Sequence, residues 1–335
     1  MNNKVLVGSA AAAALLLLAG CSTTPATGAD DAEAVDFPKS GTSIEWIVPS
    51  AAGAGNDILA RIMAPAVQDA LDANVKVVNK EGGSQVIGLN YLASSQPDGT
   101  TIGFTNIPSI LGRYLDPSKN AGFDRESFTP IGSFASNSIV IGVNKSSPYS
   151  SIEELFEAVE DEPGVITVGT DSRAGDDHVN LRILEDELDL DFNIVHYNSG
   201  ADKIAALVSG EVDFALGGVS SFYGQFQSGE VDILTIIEDE ASPFIPDVPT
   251  LESAGYEVDP MSNNFAVSVP SDTPADIVAV LETALEAAAN DPDVQAKLEG
   301  AATQPVWVSG AEIAELWKER ETLIKPIIDE LLEVS

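Results

Sequence analysis

An α/β fold built on largely parallel sheets is what this chain of 335 residues predicts. Short apolar runs alternate with longer segments of helical spacing, and strand–helix–strand alternation implies crossovers between parallel strands. The alternation occurs in two sets of similar size, on either side of Pro130. About 300 residues remain once an N-terminal leader is set aside, enough for two ordinary domains. Hydrophobic residues make up 44% of the chain, which supports real cores.

The first set opens with an apolar run at residues 43–49, read as a strand. Residues 50–55 are small and Gly-rich, a loop, and Asn56-Asp57 can cap the helix that follows. Ile58, Ile62, Met63, Ala66 and Val67 fall on one face of that helix. Pro65 interrupts the pattern and predicts a kink. A strand at 75–78, a helix at 85–95 opened by Gly82-Gly83-Ser84, and a strand at 100–105 complete the set.

The second set has strands at 139–143, 165–170, 193–197, 212–216 and 232–237. Its helices fall at 151–161, where Ser151 and Glu154 form a capping box, at 178–188 and at 201–209. After Pro260 come a strand at 265–269 and helices. Thr273-Pro274 marks one helix start, with Thr capping and Pro in the first position. Ser309 and Glu312 cap the last helix, which Pro326 is expected to kink. No solenoid-type repeat is present.

The N-terminus carries Lys4, an uncharged run over residues 10–18, the small residues Ala19 and Gly20, and then Cys21, the only cysteine. Basic start, apolar middle and small-residue end are the order of a secretory signal. Its ending on Cys resembles the bacterial lipobox, in which the sulfur is acylated and the Cys becomes the mature N-terminus. The other reading, a membrane anchor, needs a longer apolar stretch to span ~30 Å of hydrocarbon. Residues 1–20 are thus expected to be a lipoprotein signal, Cys21 the lipidation site and residues 21–36, poor in apolar side chains, a flexible tether. The protein is expected to be exported, anchored to the cell membrane by lipid and facing the periplasm or cell exterior. With no second Cys it forms no intrachain disulfide.

Acidic residues number 53 against 16 Lys+Arg, a net charge of −37, or −38 once Lys4 leaves with the signal. A nucleic-acid partner is excluded, because phosphate binding needs a basic footprint. High-salt adaptation and plain solubility at an exposed location both account for the acidity.

Several motifs in order resemble the extracytoplasmic receptors of tripartite tricarboxylate transporters, the Bug receptors. They are Val48-Pro49-Ser50-Ala51-Ala52-Gly53-Ala54-Gly55-Asn56-Asp57-Ile58-Leu59-Ala60-Arg61, Gln96-Pro97-Asp98-Gly99-Thr100-Thr101-Ile102, and Val195-His196-Tyr197-Asn198-Ser199-Gly200-Ala201. Gly210-Glu211-Val212-Asp213 and Pro246-Asp247-Val248-Pro249-Thr250-Leu251-Glu252-Ser253-Ala254-Gly255 follow. The resemblance covers residues 44–332 and implies a two-lobed, periplasmic-binding-protein-like fold of type II, with a ligand cleft between lobes. The first lobe is expected at 37–132 and 261–335, the second at 133–260.

The resemblance also points to site residues. The first loop, with Ser50, Ala52, Gly53, Ala54, Gly55, Asn56 and Asp57, would hold a ligand carboxylate on backbone amides at a helix N-terminus. An ordinary strand–helix turn with Asp57 as cap is the alternative. The second loop runs from Thr170 through Arg173 and Gly175 to Asp176, Asp177 and His178. In the family, small hydroxyl residues precede this His. Here Asp176 and Asp177 stand in their place, and they would repel an anion unless offset. Three roles are open to them: holding a ligand amine, pairing with Arg173, or capping the helix. Arg173 suits a carboxylate by its guanidinium fork, or is a surface residue paired with Asp171. Asn106, Tyr197 and Asn198 occupy family-like cleft positions as donors.

Catalysis finds no support. His178 and His196 are eighteen residues apart, no His-x-x-x-His, Walker loop or Gly-x-Ser-x-Gly occurs, and Gly217-Gly218-Val219-Ser220 lacks the closing Gly. No enzyme activity, cofactor or metal is expected. The expected function is a monomeric receptor that captures a small organic acid for tripartite tricarboxylate-type permease subunits. A ligand-sensing receptor for a membrane signalling protein and an exported enzyme are the competing readings.

Overall fold

The computed structural model describes residues 35–333 except 172, 174, 198, 239, 240, 260 and 261. The leader, Cys21 and Asn198 lie outside the described residues.

Two sheets organise the chain. The strands before the first crossing are β1 (Ser43–Val48), β2 (Asn74–Asn79), β3 (Thr101–Phe104) and β4 (Phe128–Asn137). Then come β5 (Ile139–Asn144), β6 (Thr167–Thr170), β7 (Asn193–His196), β8 (Phe214–Gly218) and β9 (Val231–Ile236). The last two are β10 (Asn263–Pro270) and β11 (Gln304–Val308). One sheet has the order β11-β4-β10-β3-β1-β2, the other β7-β6-β8-β5-β9. The chain passes from the first sheet to the second between Asn137 and Ile139, and returns between Ile236 and Asn263.

The sheets are mixed, not largely parallel. β1 runs parallel to β2 and β3, and β6 to β7 and β8. β10 is antiparallel to β3 and β4, β11 to β4, and β5 to β8 and β9. β5 follows β4 with no helix between them, so the first crossing delivers an antiparallel strand and not a βαβ unit. β4 has no counterpart in the sequence reading, because Pro130, Gly132 and Ser133 look like a break. Gly132 lies at φ +123°, and a Cβ there would fall 2.3 Å from the Trp307 ring of β11. The glycine lets the edge strand close over β4.

The helices are α1 (Gly55–Leu71), α2 (Val86–Ala93), α3 (Leu111–Tyr114), α4 (Ile152–Asp161) and α5 (Asp176–Leu188). They continue with α6 (Gly200–Ser209), α7 (Val219–Ser228), α8 (Ala275–Ala289), α9 (Pro292–Gly300) and α10 (Gly310–Glu333). α1 buries Leu59, Met63 and Val67 against Ile44, Trp46 and Val48 of β1. Met63 and Val67 are buried as expected, Ile62 and Ala66 flank the core half-buried, and Leu59 takes the place expected of Ile58, which is 45% exposed. α1 continues through Pro65 and α10 through Pro326. The Ser309–Glu312 capping box forms on both sides. At α4 only half of a box forms: Ser151 caps the Glu154 N–H, while the Glu154 carboxylate turns to Ser150. α8 begins after Pro274, one residue later than expected, and the Thr273 hydroxyl donates to the Pro270 carbonyl.

α5 belongs with the second sheet yet packs across to the first. Val179 and Ile183 share a buried cluster with Ile107, Ile110 and Leu111 and with Ile324 and Ile328 of α10. This apolar seam places the N-terminus of α5 opposite the segment that follows β3. Among the described residues no helix is long and apolar enough to cross a membrane.

Candidate functional site

The first wall is the loop between β1 and α1. Its helix is capped by Ala54, with no side-chain hydrogen bond, so Asn56 and Asp57 are not the cap. Ser50 to Gly55 curve around Asp57, whose carboxylate accepts from Gly53 N–H (2.8 Å), Asn79 Nδ2 (2.9 Å) and Arg61 Nε (2.9 Å). Asn79 also donates to the Ser50 carbonyl. Asp57 is thus a buried staple within the loop, and its oxygens are occupied by the chain itself. Ala52, Gly53 and Gly55 are exposed. The N–H groups of the first α1 turn have no intrahelical acceptors. Asn56 Oδ1 accepts from Asn106 Nδ2 at 3.0 Å, tying this helix end to the segment after β3.

Arg61, first among the causes, with the Gly53 amide and Asn79, holds Asp57 down at about 2, against a usual 3.8. The folded value lies below the unfolded one, so this stabilisation is present above pH 3.8 and is lost as pH falls through 2. Asp57→Asn is expected to lower stability by about 1–3 kcal/mol at pH 7, and the difference from wild type should vanish between pH 4 and 2. Urea midpoints at three pH values check this.

The second wall is the turn between β6 and α5. Its cap is Gly175, again without a side-chain hydrogen bond, so Asp176 and Asp177 do not cap either. The Asp171 carboxylate fills that place: it accepts from the His178 backbone N–H (3.4 Å). A Cβ on Gly175 would lie 2.0 Å from Asp171 Oδ2, so only glycine admits the tucked carboxylate. Thr170 is fully buried, and its hydroxyl is engaged with the Asp171 carbonyl and His196 Nδ1.

Asp176 and Asp177 diverge. Asp177 pairs with Lys203 of α6, which is 3% exposed and also donates to the Leu216 carbonyl (2.6 Å). Burial pushes the Asp177 carboxyl up; the Lys203 ammonium pulls it back, and the Asp176 charge adds to the rise. Asp176 instead turns toward the other sheet, where Asn263 Nδ2 reaches it at 3.3 Å. Burial, and then the charges of Asp176 and Asp177, raise Asp171 well above the carboxylate range. His178 is buried, its ring 4.6 Å from that of His196; burial and then the His196 charge push it down to about 4. It presents a neutral imidazole at neutral pH.

Arg173 and Tyr197 stand apart from this group. Arg173 is exposed and donates to the Leu331 carbonyl at the end of α10. Its pairing with Asp171, Asp176 or Asp177 does not form among the described contacts. The Tyr197 hydroxyl donates to Glu211 at 3.1 Å.

The buried cation that the sequence reading missed is Arg113 of α3. It is 6% exposed, donates only to Ser109 Oγ through Nη2 (3.4 Å), and has no hydrogen-bond partner at Nε or Nη1. Its charge reaches Asp171 across the seam. Ser50 Oγ, Asn106 Oδ1, Asn263 Oδ1 and both amide atoms of Asn180 are also buried without partners. Such orphans are rare in native proteins and call for a ligand or water. The signals were present: Arg113 interrupts an apolar stretch, and Lys203 is the lone cation beside Ile204, Ala205, Ala206 and Leu207.

Two mixed sheets, one in each lobe, with buried orphan polar groups at their seam, give a two-lobed α/β architecture. The profile of the tripartite tricarboxylate transporter family receptor matches residues 59–332, and the chain belongs to that family. A UPF0065 protein of Pseudomonas sp. (strain P51) is 26% identical over 325 residues, 95% of each chain. MatC of Rhodopseudomonas palustris, solved with bound malate, superposes with TM-score 0.72 at 21% identity, covering 87% of this chain and 100% of its own. A second R. palustris structure, with adipate, gives TM-score 0.75 at 22% identity, covering 88% and 98%.

Proposed function

We propose that the protein is an extracytoplasmic receptor that captures a small organic acid between its lobes and delivers it to the membrane permease of a tripartite tricarboxylate-type transporter. The observation that carries this is the buried Arg113 guanidinium, whose Nε and Nη1 have no partner: it is the group a ligand carboxylate completes. The malate and adipate of the two structural neighbours fit the same class of ligand. In this reading the first lobe ends at Asn137 and resumes at Asn263, and the two connections form the hinge. The ligand rests on Ser50, Asn56, Asn106, Arg113 and the α1 amides on one side, and on the α5 end on the other.

A thermal-shift panel of carboxylates tests it. A ligand at 100 times its Kd stabilises by about 2.7 kcal/mol, a rise of roughly 5 °C for a chain of this size. No response to any carboxylate overturns the reading.

The receptor is held at the membrane through an acylated Cys21. Cys21→Ser is expected to move the protein from the membrane fraction to the soluble fraction with its fold unchanged by circular dichroism. A variant that stays with the membrane points to a retained leader.

A further inference from the structure

The lobe seam is charged on both sides. Asp171 and Asp176 stand on the α5 side, and across the apolar seam α3 carries the Arg113 guanidinium, 6% exposed with Nε and Nη1 unpartnered. The anion position at the α5 N-terminus is taken by the chain's own Asp171, which accepts the His178 N–H there. A second ligand carboxylate therefore has no place on that wall, and Asp176 beside it repels one. Among the described residues no group of three or more His, Cys, Asp or Glu side chains is placed to hold a metal ion.

We propose that the ligand is an amino acid in the broad sense, a monocarboxylate bearing an ammonium group, with its carboxylate on Arg113 and its ammonium on Asp171 and Asp176. This rests on the organic-acid reading above and narrows it.

Four features agree with it. An ammonium between Asp171 and Asp176 replaces the proton that burial now favours on Asp171. Asn263, already bonded to Asp176, keeps an unpartnered Oδ1 that can accept from the same ammonium. Asn180, one turn beyond Asp176 on α5, has both amide atoms buried and open. The chain carries a net charge of −37, which opposes approach of an anion and leaves a zwitterion unaffected.

Titration calorimetry with matched pairs tests the proposal: L-alanine against propionate, and 4-aminobutyrate against butyrate and succinate. The amino-bearing member of at least one pair is expected to bind about 30-fold or more tightly than its partners, the size of a buried charge contact. Asp176→Asn should erase that preference while leaving the weaker binding of the plain acid in place; circular dichroism confirms folding, and Asp176→Ser serves if the first variant misfolds. Equal or tighter binding of propionate, butyrate or succinate overturns the proposal and leaves the organic-acid receptor standing. Butylamine binding as tightly as 4-aminobutyrate overturns both, as does the failure of every probe. A uniform loss across all probes in Asp176→Asn makes Asp176 structural and also overturns the proposal.

Discussion

Arg113→Gln is expected to weaken binding of any carboxylate probe by about 2–5 kcal/mol while raising the Tm of the ligand-free protein. The two effects have one cause. A guanidinium with Nε and Nη1 unpartnered and only 6% exposed is costly to bury, so removing it relieves the empty protein. In the proposed receptor the same group completes a ligand carboxylate, so removing it weakens binding. A purely structural arginine gives the opposite sign for stability. Calorimetry with the probe that binds wild type, together with thermal unfolding of the ligand-free variant, separates the two roles. Arg173→Gln is the control: Arg173 is exposed and reaches only the Leu331 carbonyl among the described contacts, so the variant should bind as wild type does.

Lys203→Met should cost about 3–5 kcal/mol of stability, the loss expected when one partner of a buried ion pair is removed. Asp177, 8% exposed, would be left with its charge uncompensated, and the Leu216 carbonyl would lose a donor. Adding Asp177→Asn removes the stranded charge and is expected to recover more than half of the loss. Recovery is incomplete because the carbonyl stays unpaired. Urea unfolding of both single variants and the double variant gives the coupling energy. Additive losses would mean that the pair is not the source of the effect. Because the pair ties the first turn of α5 to α6, ligand affinity should fall in Lys203→Met and return with stability in the double variant.

Much of the architecture was legible in the chain. Strands with period-two or continuous apolar character and helices with start signals announce themselves within ten or fifteen residues. β1, β3, β5, α1, α6 and α10 fall where their local patterns put them. The missed element, β4, carries Pro130 and Gly132, which break the local pattern, and what makes it a strand is pairing with β10 and β11 far along the chain. The parallel expectation failed for a related reason. Local alternation reports that strands and helices follow one another, and is silent on strands that change sheets.

The candidate site divides in the same way. Both candidate loops, Ser50 to Asp57 and Thr170 to His178, stand out by composition and by resemblance, because a small-residue loop before a helix is a local feature. Which side chains face the seam was not. Asp57 turns inward to Gly53, Asn79 and Arg61, and Asp177 to Lys203, whereas Asp176, its immediate neighbour, turns to the other lobe. Adjacent helical residues project about 100° apart, and only the packing of α5 against both sheets decides which direction is interior. By itself the sequence determined the acidic composition, two α/β sets and membership of a receptor family, all properties of short windows or of motifs in order. Tertiary structure alone brought Arg113, from a short helix after β3, within electrostatic reach of Asp171, fifty-eight residues later. Charge pairing across a cleft acts through space, and no spacing along the chain encodes it.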